Sequence, residues 1–134
     1  MSLRSEQPCP CERGAAYAEC CGPIHGGAAA PTAERLMRSR YSAFAFGLES
    51  YLLDSWDPST RPESLDIDPE VDWRRLLVES TEAGGPFDRE GWVAFTAIAR
   101  RPSGRLVQRE RSRFVRSPEG RWRYVDGVAL DPEL

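Results

Sequence analysis

Cys9, Cys11, Cys20 and Cys21 are all the cysteines of the chain, and they lie within one short stretch. They form a C-x-C pair and an adjacent pair with eight residues between, Cys9-Pro10-Cys11 and Cys20-Cys21. Four soft thiolates brought together by a turn suit a tetrahedral zinc site, with Zn–S bonds of about 2.3 Å. The short loop makes closure cheap in chain entropy. Gly14 and Gly22 allow bends beside the ligands, and Ala15 to Glu19 can form the helical turn that delivers the second pair. A 2Fe–2S cluster also takes four cysteines and stays open as an alternative. Disulfides belong to oxidising compartments, and four unconnected thiols are the bland alternative. The metal reading is preferred, with zinc as a structural cofactor.

A second set of polar residues falls on the strand expected over Arg105 to Arg116. Its even positions include Glu110 and Ser112, between Gln108 and Phe114. If that face looks toward the helices, Glu110 needs a partner or a proton. Arg38 or Arg40 on the first long helix is the natural partner. The functional reading is a polar pocket for a small ligand. The structural reading is a buried ion pair fixing helix to sheet, and the residues favour that one. The odd positions present Arg109, Arg111 and Arg113, with Arg123 on the next strand. Adjacent like charges need carboxylates, water or an anionic partner, although a solvated arginine face also blunts sheet aggregation. Nucleophilic catalysis finds little support. No cysteine lies outside the metal stretch, and the sole histidine, His25, falls in a Gly/Ala-rich segment where a solvated loop residue is expected. The sequence leans against an enzyme and assigns no catalytic residue.

These residues need a scaffold. A helix is expected from Thr32, an N-cap, with Glu34 in its first turn. Leu36, Met37, Tyr41, Phe44, Ala45 and Leu48 make one apolar face. Gly47 interrupts it, a second helix runs from Glu49 to Trp56, and Asp57-Pro58 ends that. From Trp73 the period becomes two. Strands are expected over Arg75 to Glu82, Gly91 to Arg101, Arg105 to Arg116 and Arg121 to Gly127, joined by short turns and hence antiparallel. The fold class is therefore α+β, with helices on one face of a four-stranded meander. Residues 1–24 form the knuckle, 25–31 a linker and 32–134 the α+β domain. The linker has little apolar content, so knuckle and domain are expected to be separately stable.

At 134 residues, 40% hydrophobic and 29% charged, the chain reads as one compact domain with a small appendage. The net charge of −3 argues against bulk DNA binding. No apolar run reaches membrane-helix length, and the start lacks a signal-peptide core, so a cytoplasmic location is expected. All 18 basic side chains are arginine.

The cysteine stretch resembles the SEC-C motif, C-x-C-x8-C-C/H, found at the end of the SecA translocase and in many small bacterial proteins. All four ligand positions match, and Tyr17 stands at the motif's tyrosine. The usual SEC-C turn is rich in lysine, whereas this one reads Glu12-Arg13-Gly14-Ala15-Ala16. The resemblance thus carries the metal ligands and not a basic docking surface. More widely, the chain resembles the small bacterial YchJ-like family, which joins such a knuckle to a nuclear transport factor 2-like cone. The matching stretches are Leu36 to Ala43, Tyr51-Leu52-Leu53 through Trp56 to Arg61, Glu110 to Phe114, and Gly120 to Gly127. A histidine often precedes the glutamate of the third-strand motif, and here that position is Arg109. The resemblance implies the fold, but the cone hosts both binding proteins and enzymes. Two functions follow as expectations. One is an adaptor docking onto a protein or ribonucleoprotein partner. The other is a small-molecule binder or enzyme using a polar pocket in the cone. An open cavity with unpaired polar groups would favour the second.

Overall fold

The computed structural model describes residues 3–130. Helix α1 (Leu3–Glu6) and a 3₁₀ turn over Tyr17–Glu19 flank the cysteine loop, and α2 (Cys21–His25) leaves it. Helices α3 (Ala33–Phe46) and α4 (Glu49–Asp54) follow, then strands β1 (Asp72–Ala83), β2 (Glu90–Arg101), β3 (Gly104–Arg116) and β4 (Trp122–Ala129). The sheet order is β1-β2-β3-β4, antiparallel throughout, which is the expected meander. Among the described residues no helix is long and apolar enough to cross a membrane.

Local chemistry accounts for the helix limits. The Thr32 hydroxyl accepts from the Arg35 amide at 3.1 Å, capping α3. Gly47 closes the helix in the left-handed region at φ 71°. Strand β2 shows the alternation of a half-covered sheet: Val93, Phe95, Ala97 and Ala99 are buried, and the residues between them are not. The buried face meets α3, whose Leu36, Met37 and Tyr41 join Val93, Phe95, Phe114 and Trp122 in one core.

The four cysteines belong to that same core. This runs against the expectation of a separately stable knuckle on a slack linker. The physical reason is polar as well as apolar. Arg38 donates to the Cys11 carbonyl at 2.7 Å, and Arg35 to the Cys20 carbonyl at 3.4 Å. Glu12 reaches β1, where its carboxylate accepts from the Leu76 amide at 2.7 Å and meets Arg75 at 3.3 Å. His25 is no solvated loop residue either. It ends α2, with one ring nitrogen 2.8 Å from the Ser39 carbonyl and the other 2.6 Å from the Tyr17 hydroxyl. The carbonyl can only accept, so Nε2 carries a proton and donates to it.

Candidate functional site

The cysteine loop is built by short-range bonds. The Cys9 amide donates to the Ala15 carbonyl at 3.0 Å and the Tyr17 amide to the Gln7 carbonyl at 2.9 Å, folding the loop back on itself. The Cys20 amide then donates to the Tyr17 carbonyl at 3.0 Å, turning the second pair inward. Gly22 is needed where it stands, because a Cβ there would lie 2.7 Å from the Tyr17 carbonyl oxygen.

All four sulfurs lie within 4.8 Å of one another, and all four residues are buried. Cys11 and Cys20 sulfurs are 3.5 Å apart, and those of Cys20 and Cys21 are 3.9 Å apart. A disulfide would hold its sulfurs at about 2.05 Å, so these thiols are not bridged. Tetrahedral coordination with Zn–S bonds of about 2.3 Å places sulfurs about 3.8 Å apart, which this cluster fits. A 2Fe–2S cluster divides its thiolates between two irons and so spreads them more widely.

The surroundings suit thiolates. Arg13 donates from Nε to the Cys20 sulfur at 3.3 Å. The buried Ser42 hydroxyl lies 3.4 Å from the sulfurs of both Cys9 and Cys21. Without a cation the protons are held unequally. Hydrogen bonds from Cys11 and Cys21 hold the Cys9 thiol well below its ordinary value. The Cys21 thiol is pushed far up, by its hydrogen bonds to Cys11 and Cys9 and then by burial. The Cys9 thiolate is thus easily formed and those of Cys11 and Cys21 are opposed, an opposition that a divalent cation removes. The sequence had marked the cysteines but not this outer layer. Arg13 stood out only as part of a turn that departs from the motif, and Ser42, although inside the matching stretch Leu36 to Ala43, lies on another element.

The second site lies on the other side of α3. A cavity of about 250 Å³ opens between α3, the sheet and the end of α4, with Arg40, Trp56, Trp73, Glu110, Ser112 and Tyr124 among its lining residues. Exposed Gln108 stands at its mouth, and Met37, Tyr41, Phe44, Phe95 and Phe114 supply apolar wall. The even positions of β3 do face the helices, as expected from the alternation. The expected ion pair does not form. Arg38 pairs with Glu34 one turn away at 2.9 Å. Arg40, only 6% exposed, donates from one terminal nitrogen to the Leu52 carbonyl at 2.8 Å and to the Ser55 hydroxyl at 2.6 Å. Its guanidinium carbon lies 4.9 Å from the Trp56 ring centre and 4.5 Å from that of Tyr124. Burial pushes this guanidinium down to about 10, with Tyr124, Tyr51 and Glu110 opposing, so it stays a cation at neutral pH. Glu110 is half-buried, and its carboxylate accepts from the Ser112 hydroxyl at 2.5 Å. Gly127 faces Ser112 across the strands, and a Cβ there would collide with the Glu110 carboxyl group.

The outer arginines are not bare. Arg109 makes a two-pronged contact with Glu79 at 2.8 and 2.9 Å. Arg111 meets Glu82 at 3.2 Å and lies over the Trp92 ring, while Arg113 meets Glu90 at 3.0 Å and Asp126 at 3.5 Å. Arg123 leaves this group and donates to the Asp54 carbonyl at 2.7 Å. The carboxylates come from strands β1, β2 and β4 and from their ends, so alternation along β3 alone did not reveal them.

With the geometry in place, known proteins give the lineage. The family model of the middle NTF2-like domain of YchJ matches residues 32–127, and the SEC-C motif model matches residues 7–23. The chain belongs to the YchJ-like family. Its relatives include a UPF0225 protein of Streptomyces coelicolor, 53% identical over 92% of this chain and 97% of that one. A SEC-C motif-containing protein of Rhodopseudomonas palustris has a similar solved structure, with TM-score 0.79 and 34% identity over 93% of this chain and all of that one. One from Psychrobacter arcticus has TM-score 0.78 and 29% identity, covering 99% of this chain and 88% of that one. As a YchJ-like protein, then, the chain pairs a SEC-C cysteine cluster able to hold a metal ion with an NTF2-like cone.

Proposed function

We propose that this YchJ-like protein is a small-molecule binder whose cone is stapled by one structural zinc. The cavity lined by Arg40 and Glu110 carries the reading. It combines an open, largely aromatic space with a cation and a carboxylate that are not spent on each other, as a specific binding site requires. Cys9, Cys11, Cys20 and Cys21 would hold the zinc. With four protein ligands no position is left open for a substrate. The metal's contribution is to fix the N-terminal chain against α3. Unbridged thiols of this kind fit a reducing compartment, hence the cytoplasm.

Gln108→Trp tests the binding role by blocking the mouth of the cavity from an exposed position. A fragment library is screened by ligand-observed NMR against both proteins. Hits bound by the wild type should be lost in the variant while zinc content by elemental analysis stays at one per chain. An absence of hits, or equal binding to both proteins, would refute the reading. Docking onto a protein or ribonucleoprotein is the second reading. Phe87, 98% exposed between β1 and β2, is the observation that favours it.

A further inference from the structure

Resting on the ligand-binding reading, the geometry points to the class of ligand: we infer that the cone takes a small zwitterion of the amino-acid type with an apolar side chain. Four features of the cavity lead there. Its volume of about 250 Å³ lies below the roughly 300–1,000 Å³ of drug-sized sites, so the guest is a molecule of about one ring. Its walls are mostly aromatic and aliphatic, from Met37, Phe44, Trp56, Trp73, Phe95 and Tyr124. That suits an apolar body and does not suit a sugar, whose many hydroxyls would lack partners.

The third feature is the charge pattern. One cation, Arg40, and one carboxylate, Glu110, line the same space. No ion pair or hydrogen bond joins them; Arg40 is tied to Leu52 and Ser55, and Glu110 to Ser112. They nevertheless feel each other, since Glu110 helps to hold the Arg40 cation. A ligand with one negative end and one positive end satisfies both groups. A phosphate dianion would meet the Glu110 charge in a space of low polarity, and a simple amine would meet Arg40. Either leaves a like-charge contact.

The fourth feature is which atoms remain free to bind. Ser112 donates to one Glu110 oxygen, Oε2, and among the described residues the other makes no hydrogen bond. Only Nη1 of Arg40 is used among these residues, which leaves Nε and Nη2 as donors for a carboxylate. The guanidinium packs against Trp56 and Tyr124, whose rings meet edge to face at 5.0 Å, so it is held in position before any ligand arrives. Gly127, with no side chain, leaves room for the Glu110 carboxyl group. A ligand's carboxylate therefore sits at Arg40, its ammonium at Glu110 and its side chain among the rings.

The test titrates the zinc-loaded protein with leucine, phenylalanine, phenylacetate and phenethylamine, read by calorimetry and by tryptophan indole NMR. Phenylalanine or leucine should bind at least tenfold tighter than either singly charged analogue. Glu110→Gln should cost a further tenfold or more for the zwitterion and leave phenylacetate unweakened. If a singly charged analogue binds as well or better, the zwitterion inference falls and the ligand-binding cavity stands. The zwitterion inference falls in the same way if none of the four binds while other fragments do. If no fragment of any class binds, both fall. The analogue series runs on the wild type, so it decides the matter even if Glu110→Gln fails to fold.

Discussion

Helix α3 has two working faces, and they are built on opposite principles. Toward the cysteine loop it presents Arg35, Arg38, Ser39 and Ser42, each with a described partner, and Ser39 also reaches Tyr51. Toward the cone it presents Met37, Arg40, Tyr41 and Phe44 around an open space. The first face is closed and each of these side chains is tied down, although the buried Arg35 Nε has no hydrogen-bond partner among the described residues. The second keeps a charge half-used and a volume unfilled, which in a packed interior has to be justified by a guest. One helix thereby ties a rigid staple to the wall of a binding cavity.

The largest effect is expected from breaking the closed side. Cys20→Ser, or prolonged chelation, should destabilise the whole protein by about 3 kcal/mol or more, lowering Tm by roughly 10 °C in a single transition. The reason is that the cysteines share one core with Leu36, Val93 and Phe114. A knuckle that melts alone, with the remaining transition unmoved, would show that the two faces of α3 are uncoupled. Next comes Arg40→Leu, which takes a charged donor from the Ser55 hydroxyl and from the Leu52 carbonyl, leaving that carbonyl only the Ser55 hydroxyl at 3.2 Å, and removes two ring contacts. Denaturant melts should show a loss of about 2–4 kcal/mol.

Glu110→Gln should be much milder. Among the described residues Glu110 has no ion-pair partner to strand, so a cost under about 1 kcal/mol is expected from the same melts. A loss of several kcal/mol would mean that Glu110 and Arg40 form a structural pair after all. The smallest effect belongs to the outer face, where Glu79→Gln should cost under about 1 kcal/mol. Hydrogen bonds from Arg109 and Thr96 hold the Glu79 carboxyl below its ordinary 4.5. Its contribution is therefore full above about pH 4.5 and is lost as the pH falls through the lower folded value. The wild type and Glu79→Gln should converge in stability below that window.

How much of this was legible follows from how far apart the cooperating residues lie. The cysteine site spans Cys9 to Cys21 and is written in one stretch of sequence, so spacing and ligand softness were enough to find it. The α3 cap at Thr32, its end at Gly47 and the inward face of β3 were also legible, because capping chemistry and alternation are local. The cavity was only half legible. Alternation put Glu110 and Ser112 inside, and the first long helix offered Arg38 or Arg40 beside them without choosing between the two. Neither could show that Ser55, Trp56 and Tyr124 would claim the guanidinium first, since those residues arrive from α4's end and β4. The departure from a lysine-rich turn was visible without its meaning. Glu12 is used to reach Arg75 and the Leu76 amide, and Arg13 to reach the Cys20 sulfur.

The contrast between a closed staple and an open cone can be read from the tryptophan indole signals of ¹⁵N-labelled, zinc-loaded protein. Trp56 and Trp73 line the cavity, whereas Trp92 lies on the far side of the sheet under Arg111. Addition of a fragment that binds should shift Trp56 and Trp73 and leave Trp92 in place, with the zinc retained. Signals from Trp56 and Trp73 that ignore every fragment tried would contradict the account.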